Sequence, residues 1–202
     1  MRGSRCYTRA VIGVIVAGGE SRRMGRDKAF LPFGGTTLVE RVAARLRDAC
    51  DDVVIVTNNL VPYEALGLRA VHDALPHRRS LAGIYTGVLQ AGGPVFVCGC
   101  DMPFLCPALV RHMGVLAEAA DVVIPRVLDY EPLHAVYTPA CLAPMKRVLA
   151  EGGRNADVLR GLTVVELGAA ELRRLDPDLR SLLNINTPEE YASALSLAGA
   201  VR

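Results

Sequence analysis

Residues 11–28 read VIGVIVAGGESRRMGRDK: an apolar, β-branched run that stops at two adjacent glycines and gives way to a basic loop. A short run of this kind, ended by glycine, reads as a buried strand opening into a turn. Working outward, similar runs recur at 53–57, 69–72, 95–99, 121–124, 134–138 and 163–167, each expected to be a strand. Helix-period segments lie between them. The clearest is 38–50, where positions 39, 42, 43, 46 and 50 are apolar and 40, 41, 45, 47 and 48 are polar, which predicts one buried face. Thr37 with Glu40 forms a capping box at its start, and Thr187-Pro188-Glu189-Glu190 repeats that signal for a final helix to about residue 197. Near-continuous apolar strands alternating with amphipathic helices imply an α/β fold, a three-layer α/β/α sandwich around a mostly parallel sheet.

The chain has 202 residues, 51% hydrophobic and 22% charged, with a formal net charge of +2. That composition excludes a disordered or collagen-like chain, and a chain of this size buries roughly 70% of the surface its unfolded form exposes, enough for one compact core. No internal repeat or linker composition interrupts it. A single domain over residues 1–202 is expected, with 1–9 a candidate disordered lead. No apolar stretch approaches the roughly 20 residues a bilayer needs, and no signal-peptide pattern precedes Glu20. A cytoplasmic protein with no membrane partner is expected. The small net charge and scarce aromatics argue against nucleic acid. The six cysteines follow no secreted-scaffold spacing. Cys98 and Cys100, with Cys106 and His112 nearby, lack C-x-x-C spacing, so they read as core thiols and not as a zinc site.

In parallel sheets, ligands bind outside the carboxyl ends of the strands. The loop after the first strand, with its glycines, three arginines and Lys28, has the composition of a phosphate cradle. It is neither a Walker A loop nor a G-x-G-x-x-G turn. Lysine occurs only twice against 21 arginines, so a lysine here suggests that a compact ammonium is wanted. After the fourth run comes Cys98-Gly99-Cys100-Asp101-Met102-Pro103, where Asp101 could hold Mg²⁺ together with phosphate oxygens. Asp73 ends the third strand in the same manner. By itself His134, in 132–137, reads as a core histidine and Asn186, in 184–187, as a turn residue. Asp176-Pro177-Asp178, flanked by Arg173-Arg174 and Arg180, is read as a solvated turn.

Together these segments resemble the MobA-like branch of the nucleotidyltransferases, the molybdenum cofactor guanylyltransferases. The resemblance runs from about residue 11 to 191. It is carried by Ala17-Gly18-Gly19 through Arg23-Met24-Gly25 to Asp27-Lys28, by Leu81-Ala82-Gly83-Ile84 and by Cys100-Asp101-Met102-Pro103. Two later segments complete it, Pro132-Leu133-His134-Ala135-Val136-Tyr137 and Asn184-Ile185-Asn186-Thr187-Pro188-Glu189-Glu190. It implies a Rossmann-like nucleotidyltransferase fold. In that family the glycine loop wraps the GTP phosphates, its lysine contacts them, and the aspartate of C-D-x-P binds Mg²⁺. Those roles fall here on Val16, Ala17, Gly18, Gly19, Arg23, Lys28 and Asp101. Further nucleotide contacts fall on Asp73 and on Asn58, within 57–59, and substrate contacts on His134, Asn184 and Asn186. The catalytic set implied is Arg23, Lys28 and Asp101, with Asp101 the metal ligand. The Ala-Gly-Gly form resembles guanine users. Arg79-Ser80 stands where the family has Gly-Pro, and is read as part of an exposed arginine run after His77-Arg78.

The activity so implied is Mg²⁺-dependent guanylyl transfer from GTP to molybdopterin or Mo-molybdopterin, with Mn²⁺ an alternative ion and molybdoenzyme apo-proteins as downstream partners. A related nucleotidyltransferase with CTP or another acceptor, and a non-catalytic nucleotide-binding or cofactor-delivery domain, are the alternatives.

Overall fold

The β-branched runs all become strands of one sheet. The structure, a computed structural model, describes residues 11–17, 27–75 and 79–199. β1 (Ile12–Ala17) is followed by a two-stranded hairpin, β2 (Pro32–Phe33) and β3 (Thr36–Thr37), then α1 (Leu38–Arg47), β4 (Asp52–Thr57), α2 (Val61–Glu64) and β5 (Ala70–His72). The chain continues through α3 (Arg79–Ala91), β6 (Val95–Gly99), α4 (Pro107–Leu116), β7 (Val122–Pro125), β8 (His134–Tyr137) and α5 (Leu142–Glu151). It ends with β9 (Val164–Leu167), α6 (Ala169–Leu172) and α7 (Pro188–Gly199). The main sheet has seven strands in the order β5-β4-β1-β6-β8-β7-β9. Only β8 runs antiparallel to its neighbours, so the sheet is mostly parallel as expected.

Alternate strand residues face two separate cores. Ile15, Ile55, Phe96, Val123 and Val136 pack with Val39, Val42, Leu46, Leu109 and Met113 of α1 and α4. Val14, Val56, Val97, Val122 and Ala135 pack with Ile84, Val88, Met145 and Val148 of α3 and α5. Both strand faces are therefore apolar, which is why the strands carry no polar alternation. The capping box of α1 forms as expected, Thr37 accepting from the Glu40 amide and Glu40 from the Thr37 amide at 2.8 Å. The helix ends at Arg47 and not at residue 50, because the amides of Ala49 and Cys50 both turn back to the carbonyl of Leu46. No helix among the described residues is long and apolar enough to cross a membrane.

The close seating of α3 on β1 depends on glycine. A Cβ at Gly87 would lie 2.6 Å from Val14 Cγ1 and 3.3 Å from Val14 Cβ, so no rotation of that branched side chain relieves the clash; Gly83 stands in the same relation to Val16. Gly87→Ala is expected to destabilise by about 1–3 kcal/mol through overpacking. At roughly 2–4 °C of Tm for each kcal/mol in a domain of this size, calorimetry resolves the change. An unaltered Tm would show that α3 can move off the sheet at no cost.

Candidate active site

From β1 the chain winds outward through β4 to β5, then returns through α3 to β6 on the other side of β1. The carboxyl ends of β1 and β6 therefore flank a topological switch point, where the connections diverge and leave a crevice. Lys28 and Asp101 follow those two strands. Asp27 caps the short 3₁₀ turn Lys28–Phe30 by accepting the Ala29 amide at 3.1 Å, which sets where the lysine leaves the backbone. Lys28 Nζ forms an ion pair with Asp101 Oδ2 and donates to Asn186 Oδ1 at 3.1 Å. The lysine and aspartate side chains are 19% and 12% exposed. The Ile185 amide donates to the Asp101 carbonyl at 3.0 Å, tying the 184–186 segment to the strand-end loop. A Cβ on Gly99 would collide with Asp101 Oδ1, so glycine there is what lets the carboxylate fold back over the end of β6.

Three residues read from separate segments thus converge: Lys28, Asp101 and Asn186. Gly18, Gly19 and Arg23 lie outside the described residues. Val16 and Ala17 end β1, and the Val16 carbonyl accepts the Cys100 amide at 3.3 Å. Asn58 is exposed just past β4 and Asp73 lies just past β5, on the same sheet edge but away from the switch point. Asp73 Oδ1 accepts from Thr86 Oγ1 at 2.8 Å and from the Leu75 amide at 3.1 Å, so this carboxylate first anchors its own loop to α3. Asn184 is half-buried in the segment that carries Asn186.

Two readings need correction. His134, assigned to substrate, is fully buried with its ring edge-on to Phe96 at 5.0 Å, and so offers no surface to a ligand. Asp176 is not part of a solvated turn: it is 8% exposed and accepts the Ser181 amide at 2.8 Å. His77 and Arg78 of the arginine run lie outside the described residues; Ser80, which follows it, lies in the first turn of α3 and accepts from Asn155 Nδ2 at 3.3 Å. Cys98 and Cys100 behave as core thiols, while Cys106 is only half-buried. Burial, with the Asp101 charge, pushes Cys100 up to about 12, and burial raises Cys98 well above the usual thiol range, so neither is a thiolate at neutral pH.

Sequence reasoning missed a cavity of about 640 Å³ lined by Ser80, Leu81, Tyr130, Pro132, Arg154 and Asn155, among others. It opens beside the loop between β7 and β8, on the sheet edge that carries Asp101. Leu81 and Pro132 belong to segments that carry the resemblance, and Gly152-Gly153-Arg154 is a glycine pair ending an apolar helical run, but no sequence signal joins the three. Tyr130 is fixed by donating to Glu166 Oε1, while Arg126 reaches Glu166 Oε2 at 3.0 Å and lies over the Tyr130 ring.

The donor chemistry at the switch point suits Mg²⁺. Among the described residues no three His, Cys, Asp or Glu side chains gather as a metal cage. A lone strand-end carboxylate matches an ion that keeps waters and shares phosphate oxygens, and does not match zinc.

Burial pushes the His134 imidazole down to about 4, with the Asp176 charge opposing part of the shift, and neither ring nitrogen has a hydrogen-bond partner among the described residues. In the unfolded chain the ring titrates near 6.5, so as pH falls below that value the unfolded state takes the proton first. The stability held by neutral His134 is complete above about 6.5 and lost toward about 4, roughly 3 kcal/mol over the window. Thermal melts of His134→Phe between pH 7 and 4 are expected to show a flatter decline than the parent; parallel slopes would place the acid-labile group elsewhere.

A doubly covered parallel sheet whose switch point pairs a lysine after the first strand with an aspartate after the central one defines an α/β protein of the nucleotidyltransferase type. The chain belongs to the MobA-like NTP transferase domain family, which matches residues 13–167. It is 42% identical over 192 residues to the molybdenum cofactor guanylyltransferase of Desulfosudis oleivorans, covering 92% of this chain and 94% of that one. It is 38% identical to a probable molybdenum cofactor guanylyltransferase of Natranaerobius thermophilus, covering 94% and 97%. Among solved structures, molybdopterin-guanine dinucleotide biosynthesis protein A of Archaeoglobus fulgidus superposes with a TM-score of 0.82 at 27% identity, over 94% of this chain and all of that one.

Proposed function

We propose that this protein is a cytoplasmic molybdenum cofactor guanylyltransferase that transfers GMP from GTP to the terminal phosphate of molybdopterin or Mo-molybdopterin, its dinucleotide product passing to molybdoenzyme apo-proteins. The observation that carries the reading is the convergence of Lys28, Asp101 and Asn186 at the β1/β6 switch point. The names of its relatives support the choice of donor and acceptor.

The triphosphate lies at the end of β1, with the nucleoside extending toward β4 and β5, where Asn58 and Asp73 stand. The acceptor occupies the 640 Å³ cavity on the other side of β6. Its terminal phosphate, with a second pKa near 6, is largely dianionic at neutral pH and needs no strong base. This fits a site without a Ser-His or Cys-His dyad among the described residues. An acceptor oxygen forms a bond to the α-phosphorus while the α–β bridging bond breaks, and its electron pair leaves with pyrophosphate. The chain's task is in-line positioning and neutralisation of charge on the phosphoryl oxygens. Lys28 supplies a compact ammonium, and Asn186 Oδ1 holds that ammonium in place as it turns from Asp101 to phosphate. Asp101 would hold Mg²⁺, or Mn²⁺ by the same ligand. When bound, the ion neutralises phosphate charge.

Incubation with labelled GTP, Mg²⁺ and molybdopterin is expected to yield a guanylylated pterin and one pyrophosphate for each transfer, with CTP a poor donor. Equal use of CTP, or GTP binding without pyrophosphate release, would overturn the assignment of donor or of catalysis respectively.

A further inference from the structure

The segment between α6 and α7 contains a buried carboxylate that the transfer chemistry does not use. Asp176 Oδ1 accepts the Arg180 amide at 3.2 Å, and its Oδ2 accepts the Ser181 amide at 2.8 Å and Ser181 Oγ at 2.6 Å. Ser181 is fully buried. The neighbouring arginines do not neutralise this charge: Arg173 donates to the Pro177 carbonyl at 2.7 Å, and Arg180 pairs with Asp178 at 2.9 Å. The carboxylate is spent on ordering main chain, where charge-assisted hydrogen bonds are stronger than neutral ones. The turn it closes is an unfavourable one. Leu179 has φ of +53°, the one non-glycine positive φ among the described residues, and its amide returns to the Asp176 carbonyl at 3.0 Å.

What this turn delivers is the segment carrying Asn184 and Asn186. Downstream of Ser181, Ile185 is buried among Phe33, Leu38 and Ala194, and its amide meets the Asp101 carbonyl. The Asn186 amide donates to Glu190 Oε2 at 2.6 Å, at the start of α7. The strap is thus pinned at Asp176, at Asp101 and at the α7 cap, and Asn186 Oδ1 reaches Lys28 from it.

We infer that Asp176 is a positioning residue, a buried clamp that sets the register of the 180–186 strap and so holds Asn186 against Lys28. The inference deepens the transferase reading and rests on Lys28 being its phosphate contact.

A double-mutant cycle of Asp176→Asn with Asn186→Ala tests it. Asp176→Asn is expected to lower kcat/KM for GTP at least fivefold in the parent but less than twofold where Asn186 is already alanine, with the same fall in Tm in both backgrounds. Equal fold losses in both backgrounds would mean that Asp176 merely stabilises the fold, and overturn the inference. Should Asp176→Asn not fold, Ser181→Ala removes one of the three bonds and enters the same cycle. A crystal structure of Asp176→Asn separates the two proposals: Asn186 Oδ1 still on Lys28 refutes the clamp whatever the protein does with GTP, whereas a parent that turns over no nucleotide refutes the transferase reading alone.

Discussion

Asp101→Asn is expected to abolish divalent-cation-dependent transfer, lowering kcat/KM at least about 10³-fold while the protein stays folded. Asparagine keeps the size of the side chain over Gly99 and an amide oxygen that can still accept from Lys28, so the loss reports the missing charge and not a collapsed loop. Removing one preorganised stabiliser of a developing charge costs about 10²–10³ in rate, and loss of an anchored divalent ion adds several kcal/mol. The carboxylate is only 12% exposed at the carboxyl end of β6, so solvent does little to replace it. The measurement is pyrophosphate release against Mg²⁺ concentration. A variant with the parent's metal dependence would remove Asp101 from the centre.

The strand runs were legible because a doubly covered sheet demands apolar residues on both faces, and β-branched segments such as 53–57 satisfy that on sight. The direction of β8 was not. His134-Ala135-Val136-Tyr137 is equally apolar whichever way it runs, and only its register against Val95–Gly99 shows it antiparallel. Lys28 and Asp101 were each legible from the strand-end rule, but their ion pair depends on β1 and β6 being neighbours, a fact of topology. Asp176 misled for a physical reason. Flanking arginines look like solvated partners, yet they bind Pro177 and Asp178 and leave the carboxylate to backbone amides inside the fold. His134 went to substrate through the family resemblance alone; its place in an apolar run reads as a core histidine, and the structure buries it. The cavity draws its lining from α3, the β7–β8 loop and the end of α5; Leu81 and Pro132 lie in segments that carry the resemblance, but only folding brings them beside Arg154 and Asn155.

Lys28→Ala is expected to lower kcat/KM for GTP at least tenfold, and at the same time to raise the affinity of the nucleotide-free protein for Mn²⁺. The first effect follows from losing the compact cation at the triphosphate. The second follows from the ion pair: the Lys28 ammonium lies on Asp101 Oδ2, an oxygen that a metal held by this carboxylate would share. Two unit charges about 4 Å apart interact by about 4 kcal/mol at an effective dielectric of 20, and any cation entering there must displace that contact or share the carboxylate with it. Discounted for the partial exposure of both side chains, a gain of about tenfold in Mn²⁺ affinity is expected. The unpaired carboxylate should also cost about 1–3 kcal/mol of stability at neutral pH. Electron paramagnetic resonance titration of free Mn²⁺ reads the affinity without any turnover. Weaker Mn²⁺ binding in Lys28→Ala would show that the lysine does not compete with the ion, and that triphosphate and metal load independently. Tighter binding would mean that triphosphate, by drawing Lys28 off Asp101, opens the metal position as it arrives, so that nucleotide and ion load together.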